Sequence, residues 1–380
     1  DCNATTAPLP EVVQAVADAM RETWANASSR HAPGQRARRL LVSSRATAAR
    51  ALGCKPSELV FTSGASESNH LAVLGLLGAA SADRPRVVFS AGEHAGHMRL
   101  ADSLARRGVP VDFIPLRSDG SLDMDAAARL IGPDVAVVSV TAANNETGVL
   151  MPVSDLAGMA RSVGARLHAD ATQYIGKLPF DFASFKADAV SMSAHKIHGP
   201  KGVGALLLRD GVALAGQFPG SQERNRRGGT ENLPAIAGFA VALERMGTAG
   251  EINAEANHQT ALRDGLERGL RAALPVRVFG AQAARLPGTS YLRIGLLEAD
   301  TVLQRLEQLG VAASSGSACS SSGSEPSRVL TAMGVPRDEA LGAVRFSLGR
   351  ETRAMDIDHV LAELPPLLAP LLQDLGEAVF

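Results

Sequence analysis

From Leu59 to Leu208 the chain repeats one rhythm: a short apolar run, a turn, a stretch with helical spacing, and the run again. The spacing predicts strands at Leu59–Thr62, Arg86–Ser90, Val109–Ile114, Val135–Thr141, Ala165–Ala169, Ala187–Ser193 and Gly204–Leu208. It predicts helices between them at Glu67–Leu77, Gly96–Arg107, Met124–Ile131 and Val153–Val163. Strands that alternate with helices imply a largely parallel sheet covered by helices on both faces. Two amphipathic helices, Glu11–Trp24 and Arg36–Leu52, precede this region. After it come long helices at Pro234–Met246 and Ile252–Ala273. Mixed elements follow at Val276–Phe279, Thr289–Ile294, Ala299–Leu309 and Arg345–Leu348, with a last helix from about Met355. At 380 residues the chain exceeds one ordinary core, so the expectation is a large α/β domain and a smaller α+β domain. In such sheets ligands bind at the carboxyl ends of the strands, so chemistry is to be sought there.

One strand end stands out. The run closing at Ser193 leads into Ala194-His195-Lys196 and then a turn rich in glycine and proline. A bare ammonium at the end of a buried strand is costly. Forming an imine with a carbonyl cofactor such as pyridoxal 5'-phosphate removes that cost; snorkelling to the surface is the alternative. The chain has few lysines to choose from: Lys55, Lys177, Lys186, Lys196 and Lys201. Ser193 and His195, on either side, can hydrogen-bond a phosphate.

Other strand ends carry polar clusters. Thr62-Ser-Gly-Ala-Ser66 opens a helix, where free N–H groups can cradle an anion; an ordinary serine cap is the plainer reading. Asp170, just after a strand, can keep a pyridine nitrogen protonated and Gln173 can reach a ring oxygen, or Asp170 can simply cap a helix. His94 after Glu93 can stack on a flat ring, with His97, His195 and His198 competing for any such role. Asn144-Asn145 offers two amides or a simple turn. Gln222 to Asn232 is a polar, glycine-containing loop that can offer Thr230 to a phosphate or serve as a surface contact. Arg345 and Arg350 can each grip a carboxylate in bidentate fashion, or form surface ion pairs. Cys319 lies in the serine/glycine stretch Ser314–Ser324, whose composition is that of a flexible loop. A mobile thiol suits sulfur transfer; a chance cysteine in a linker is the alternative.

In combination and in order, TSGASESN, EH, ANNETG, HADATQ, SAHKIHGPKGVGAL, QERNRRGGTEN, SSGSAC and RFSLGR resemble the cysteine desulfurases. These are fold-type I pyridoxal phosphate enzymes of the class-V aminotransferase group, and the likeness is to the NifS- and IscS-like branch. It runs from Asn3-Ala-Thr-Thr to the last helix. It implies a large cofactor-binding domain at 11–252, built on a mixed, mostly parallel seven-stranded sheet flanked by helices. It also implies a small domain made of 1–10 and 253–380, carrying the catalytic loop 314–324. By the same resemblance Lys196 carries the cofactor as a Schiff base, Asp170 pairs with its pyridine nitrogen, Gln173 with its ring oxygen, and His94 stacks on the ring. Ala65, Ser66, Ser193 and His195 hold the phosphate, joined by Thr230 from the second subunit of a homodimer. Asn145 and Arg345 bind the substrate carboxylate, and Cys319 is the nucleophile that becomes a persulfide. The implied reaction is removal of sulfur from L-cysteine, giving L-alanine and sulfur for an acceptor protein, as in iron–sulfur cluster assembly. The sequence departs from the branch at Ala194, at Pro219-Gly-Ser-Gln, at Asn225 and at Asn26-Ala-Ser-Ser, where glycine, a glycine run, glycine and Asn-Pro-Ser-Ser are usual.

Rival readings keep the cofactor but change the chemistry to a selenocysteine lyase, an aminotransferase or a β-lyase. A further one, of another class, is a non-catalytic scaffold that binds a sulfur acceptor. A net charge of −1 points away from nucleic acid and from anionic membranes. No apolar run reaches the ~20 residues of a membrane span, and no secretory signal is seen at the start. Cys2, Cys54 and Cys319 form an odd, sparse set without metal-ligand spacing, so the expectation is a reducing, cytoplasmic setting and no metal.

Overall fold

The computed structural model describes residues 1–316 and 325–376. Helices α1 (Pro10–Glu22) and α2 (Ala32–Ala51) come first. The alternating region follows as β1 (Leu59–Thr62), α3 (Ala65–Ala79), β2 (Arg86–Ser90), α4 (Ala95–Arg106), β3 (Val111–Ile114), α5 (Met124–Leu130), β4 (Val135–Thr141), α6 (Val153–Ser162), β5 (Arg166–Asp170), β6 (Ala189–Ser193) and β7 (Gly204–Leu208). Its strands form one sheet of seven, in the order β1-β7-β6-β5-β4-β2-β3. Strands β3, β2, β4, β5 and β6 are parallel, whereas β7 runs antiparallel to both β6 and β1. Strand β1 therefore points the same way as β6. Thr62, Ser90, Thr141, Asp170 and Ser193, each the last residue of its strand, share one edge of the sheet.

Strands β4, β6 and β7 are buried throughout, as a strand covered on both faces must be. One apolar cluster joins this sheet to α1, α2, α6 and α7 (Leu233–Glu244), and another joins its opposite face to α3 and α4. Helix α8 (Ala249–Ala273) begins with a capping box between Thr248 and Glu251, which starts it three residues before the apolar spacing indicates. A second sheet, wholly antiparallel, has the order β10-β11-β9-β8. It comprises β8 (Val276–Phe279), β9 (Thr289–Ile294), β10 (Ser314–Ser315) and β11 (Ala343–Ser347), with α9 (Ala299–Gln308), α10 (Arg328–Ala332), α11 (Arg337–Leu341) and α12 (Ala354–Asp374) completing the chain. Its apolar cluster, including Leu266, Leu292, Val302 and Leu364, is separate from the other two.

Two local departures have physical causes. Ser314 and Ser315, which open the serine/glycine stretch, are a strand and not loop, because Ser314 pairs with Arg345 across β10 and β11. Lys196 is not on a strand: β6 stops at Ser193, and Ala194–Lys196 form a single 3₁₀ turn. Among the described residues no helix is long and apolar enough to cross a membrane.

Candidate active site

The carboxyl edge of the large sheet is polar where the rest of the sheet is apolar. Gly64 is the N-cap of α3 and has φ 152°, a conformation open essentially to glycine alone. The N-terminal N–H groups of this helix, at Ala65 and Ser66, face out of the helix as any first turn does. A Cβ on Gly64 would stand 3.5 Å from Ser193 Oγ, so the helix start and the end of β6 form two sides of one cradle. Gly204 closes its floor: a Cβ there would come within 2.5 Å of Met192 O and 2.7 Å of the Gly64 Cα. His195 follows on the turn. Burial, with Lys196 and Lys201 adding to it, pulls its imidazole down to about 4, so it is neutral at physiological pH and its Nδ1 lies 3.2 Å from Thr5 Oγ1.

Asp170 is buried at the end of β5, level with Ser191 on β6. Burial alone would raise its carboxyl pKa. Hydrogen bonds from Thr172 and from Asn69 Nδ2, at 2.6 Å, together with the nearby His97, outweigh burial and hold it below the usual carboxylate range. Asn69 Oδ1, beside it, is buried without a hydrogen-bond partner among the described residues. Lys196 Nζ donates to the carbonyls of Asn3 and Ala4 at 2.6 and 2.7 Å. Gln173 is buried, donates to Asn3 O at 2.9 Å and accepts from Lys177 Nζ at 2.5 Å. His94 caps α4 by accepting from Gly96 N. Desolvation lowers its pKa, with Lys196 and His97 reinforcing the effect, so it too is neutral at physiological pH.

The second sheet brings Arg345 to the same place. Its buried guanidinium donates to Asn145 O at 2.9 Å and to Asp1 Oδ1 at 2.8 Å. The Asp1 side chain thus sets a carboxylate against this guanidinium. Arg350, the competing candidate, is tied instead to Glu255 and to the carbonyls of Arg245 and Met246. The two consecutive amides also separate. The Asn144 side chain is consumed by its own turn, donating to Gly92 O and accepting from Glu146 N, Thr147 N and Thr147 Oγ1, whereas the backbone carbonyl of Asn145 accepts from Arg345.

Glu93 and the competing His97 belong to the core. They form one hydrogen-bonded row beneath the edge: Glu93 to His97 at 2.9 Å, His97 to Ser139 at 3.4 Å, Ser139 to His168 at 2.8 Å and His168 to Ser191 at 2.8 Å. Thr230 is exposed, beyond a loop in which Glu223, Arg224 and Asn225 all have positive φ. That explains why asparagine stands in for glycine at 225, since it tolerates the left-handed region better than other side chains. Glu223 anchors the loop by bonding Arg45 and the Phe61 N–H on edge strand β1. Cys319 lies outside the described residues; Ser314, five positions earlier, is paired with Arg345.

Sequence reading missed Asn3, Asp1, Lys177 and Glu146. The first two are brought in from the far end of the chain, and no local pattern marks them. Lys177 carried a usable signal, being one of very few lysines and four residues after Gln173.

The donor set suits pyridoxal phosphate. It offers an amine, a carboxylate kept ionised, a neutral imidazole and a helix start whose glycine leaves room for a phosphate. The buried Asn69 Oδ1 adds an acceptor not met among the described residues.

The chain matches the aminotransferase class-V family over residues 1–360. It is 42% identical over 377 residues to a cysteine desulfurase of Cereibacter sphaeroides, covering 98% of this chain and 95% of that one. A solved NifS-like protein superposes with a TM-score of 0.89 at 31% identity, covering 97% of this chain and 98% of the other. A structure described as SspA in complex with cysteine aligns with a TM-score of 0.81 at 29% identity, over 92% and 97% of the two chains. A match this long, resting on a site built from the same edge of the same sheet, means that the chain belongs to the class-V aminotransferase family, on its cysteine desulfurase branch.

Proposed function

We propose that the chain desulfurates L-cysteine with pyridoxal 5'-phosphate held at the edge described above, passing the sulfur through Cys319 to an acceptor protein. Bound there, the cofactor supplies an electron sink for the pair left behind when a carbon next to the substrate amine loses its proton. Lys196 would hold the cofactor covalently and, once released, its amine takes that proton. Asp170 keeps its negative charge against the pyridine nitrogen, Gln173 donates to the ring oxygen, and neutral His94 covers one face. Ala65 and Ser66 at the start of α3, with Ser193 and His195, bind the phosphate, and Thr230 of the partner subunit completes that set in a homodimer. Arg345 and Asn145 orient the substrate carboxylate. The Cys319 thiolate, the reactive form of the thiol, then attacks the substrate sulfur. The carbon–sulfur bond breaks with its electron pair going to the carbon side, which takes up a proton and leaves as alanine. Cys319 keeps the sulfur as a persulfide.

The observation that carries this reading is the convergence of Asp170, the Lys196 turn and the Gly64–Ser193 cradle on one sheet edge, opposite an arginine already holding a carboxylate. An apolar cluster of its own, from Leu262 to Leu372, supports a small domain from 253 onward, with Phe279, Tyr291 and Ala343 of the second sheet packing into the cluster of a large domain at 11–252. Residues 1–10 bond to Ser347 on the second sheet and to His195 and His198 in the turn that follows β6. Cysteine binding by one structural relative supports the substrate. We place the reaction in the cytoplasm, with a protein as sulfur acceptor and no direct contact with nucleic acid or membrane. The test is intact-protein mass spectrometry after addition of cysteine. One extra sulfur on wild type, absent from Cys319→Ser although that variant keeps its yellow cofactor, is the expected result. Full alanine production by Cys319→Ser would refute the role.

A further inference from the structure

Lys177 is a cation that the chemistry above leaves unused. Its Nζ lies 2.5 Å from Gln173 Oε1 and 2.5 Å from Asn3 Oδ1. A lysine ammonium has donors and no acceptor, so the Gln173 atom facing it is the carbonyl oxygen. On the other side of the same amide stands Asn3 O, which can only accept, 2.9 Å from Gln173 Nε2. Two neighbours of opposite character therefore fix the Gln173 amide in one orientation and leave its nitrogen one further N–H. Asn3 is held in the same way. Its Oδ1 takes Lys177 and its Nδ2 donates to Asn145 O at 3.2 Å and Thr289 Oγ1 at 3.0 Å. Through Asn3, one lysine thus ties together Gln173 on the cofactor side and Asn145 on the substrate side.

We propose that Lys177 is a positioning residue for the cofactor: it holds Gln173 so that an amide N–H, and not the amide oxygen, meets the ring's phenolic oxygen. This rests on the reading of Gln173 given above. A flipped amide would set a lone pair against an anionic oxygen and lose a charge-assisted hydrogen bond. The orientation survives titration of the lysine. Burial pulls Lys177 down to about 7, Lys196 and Arg345 push the same way, and Cys2 opposes them. A neutral amine still has two N–H donors for the two oxygens it faces.

The test uses the cofactor-loaded protein and follows the visible band of the bound pyridoxal phosphate against pH. Four variants are compared with wild type: Gln173→Ala, Lys177→Met, Lys177→Arg and the Gln173→Ala/Lys177→Met pair. An N–H on the phenolic oxygen weakens that oxygen's hold on the proton it shares within the chromophore. Losing the N–H raises the midpoint by about half to one pH unit, the worth of one hydrogen bond. Lys177→Met should raise it as Gln173→Ala does, the double variant should add nothing, and Lys177→Arg should restore most of it. In cofactor-free protein, selective labelling should show the Gln173 side-chain N–H pair sharp in wild type and exchange-broadened in Lys177→Met. If Gln173→Ala moves the midpoint and Lys177→Met does not, the assignment of Lys177 is wrong while that of Gln173 stands. If Gln173→Ala leaves it unmoved, both are wrong. Should Lys177→Met not fold, Lys177→Leu, which likewise has no N–H to donate, gives the same comparison.

Discussion

Replacing Glu146 with glutamine should make the protein more stable at pH 8 and leave it almost unchanged at pH 5. Burial pushes the Glu146 carboxyl up from 4.5 to about 7, against the opposing pull of Ser327, Arg345 and Tyr291. Ser327 Oγ donates to Glu146 Oε2, and Gly316 presses on the same oxygen so closely that a Cβ there would stand 2.8 Å away. The unfolded chain gives up this proton near 4.5 and the folded chain only near 7. Between those values folding must take up a proton, so stability falls as pH rises through the window, and the loss is complete above it. Each pH unit of separation is worth about 1.4 kcal/mol, which gives at most about 3 kcal/mol. Glutamine has the shape of the protonated acid and never ionises. Spread over the unfolding entropy of a chain this long, the gain corresponds to about 4 °C in Tm. The assay is thermal melting of cofactor-free wild type and Glu146→Gln at pH 5 and pH 8. An equal difference at both pH values would show that Glu146 does not titrate between them, and the reasoning would fail.

Further outcomes follow from the same contacts. Asp1→Asn removes the carboxylate that occupies Arg345, so cysteine should bind more tightly, with KM down about fivefold for a charged contact worth about 1 kcal/mol; steady-state kinetics showing an unchanged or higher KM would exclude competition at that guanidinium. Gly204→Ala forces a methyl against Met192 O and Gly64, which should lower stability by about 1–3 kcal/mol and weaken cofactor binding, measured by equilibrium dialysis; full occupancy at wild-type concentrations would mean that the cradle can widen.

The central architecture was legible because the rhythm from Leu59 to Leu208 repeats often enough to outweigh local error. Strands fully buried on both faces carry apolar runs that helices interrupted by polar faces do not. Lys196 and Asp170 draw attention in the sequence for a related reason: a charge at the end of an apolar run has no packing explanation. What escaped was whatever depends on contacts between distant segments. Ser314 and Ser315 have loop composition and become strand only because β11 supplies a partner. Asn144 and Asn145 are adjacent and chemically identical, and only the turn decides which one is spent on its own backbone. Arg345 and Arg350 look alike in the sequence, and only the fold shows that Glu255 and two carbonyls occupy Arg350. His97 was weighed as a candidate for ring chemistry, yet its bond to buried Glu93 commits it to the core.

The clasp formed by Asp1 and Asn3 bears on how the protein is made. These residues leave the ribosome well before their partners, which include Lys196, Thr289, Arg345 and Ser347. The large sheet can close once β7 has been synthesised, whereas the catalytic edge must wait until β11 has emerged. For most of translation this leading segment has no docking place, and nascent chains stalled before residue 347 should be folded in the middle yet unable to capture the cofactor.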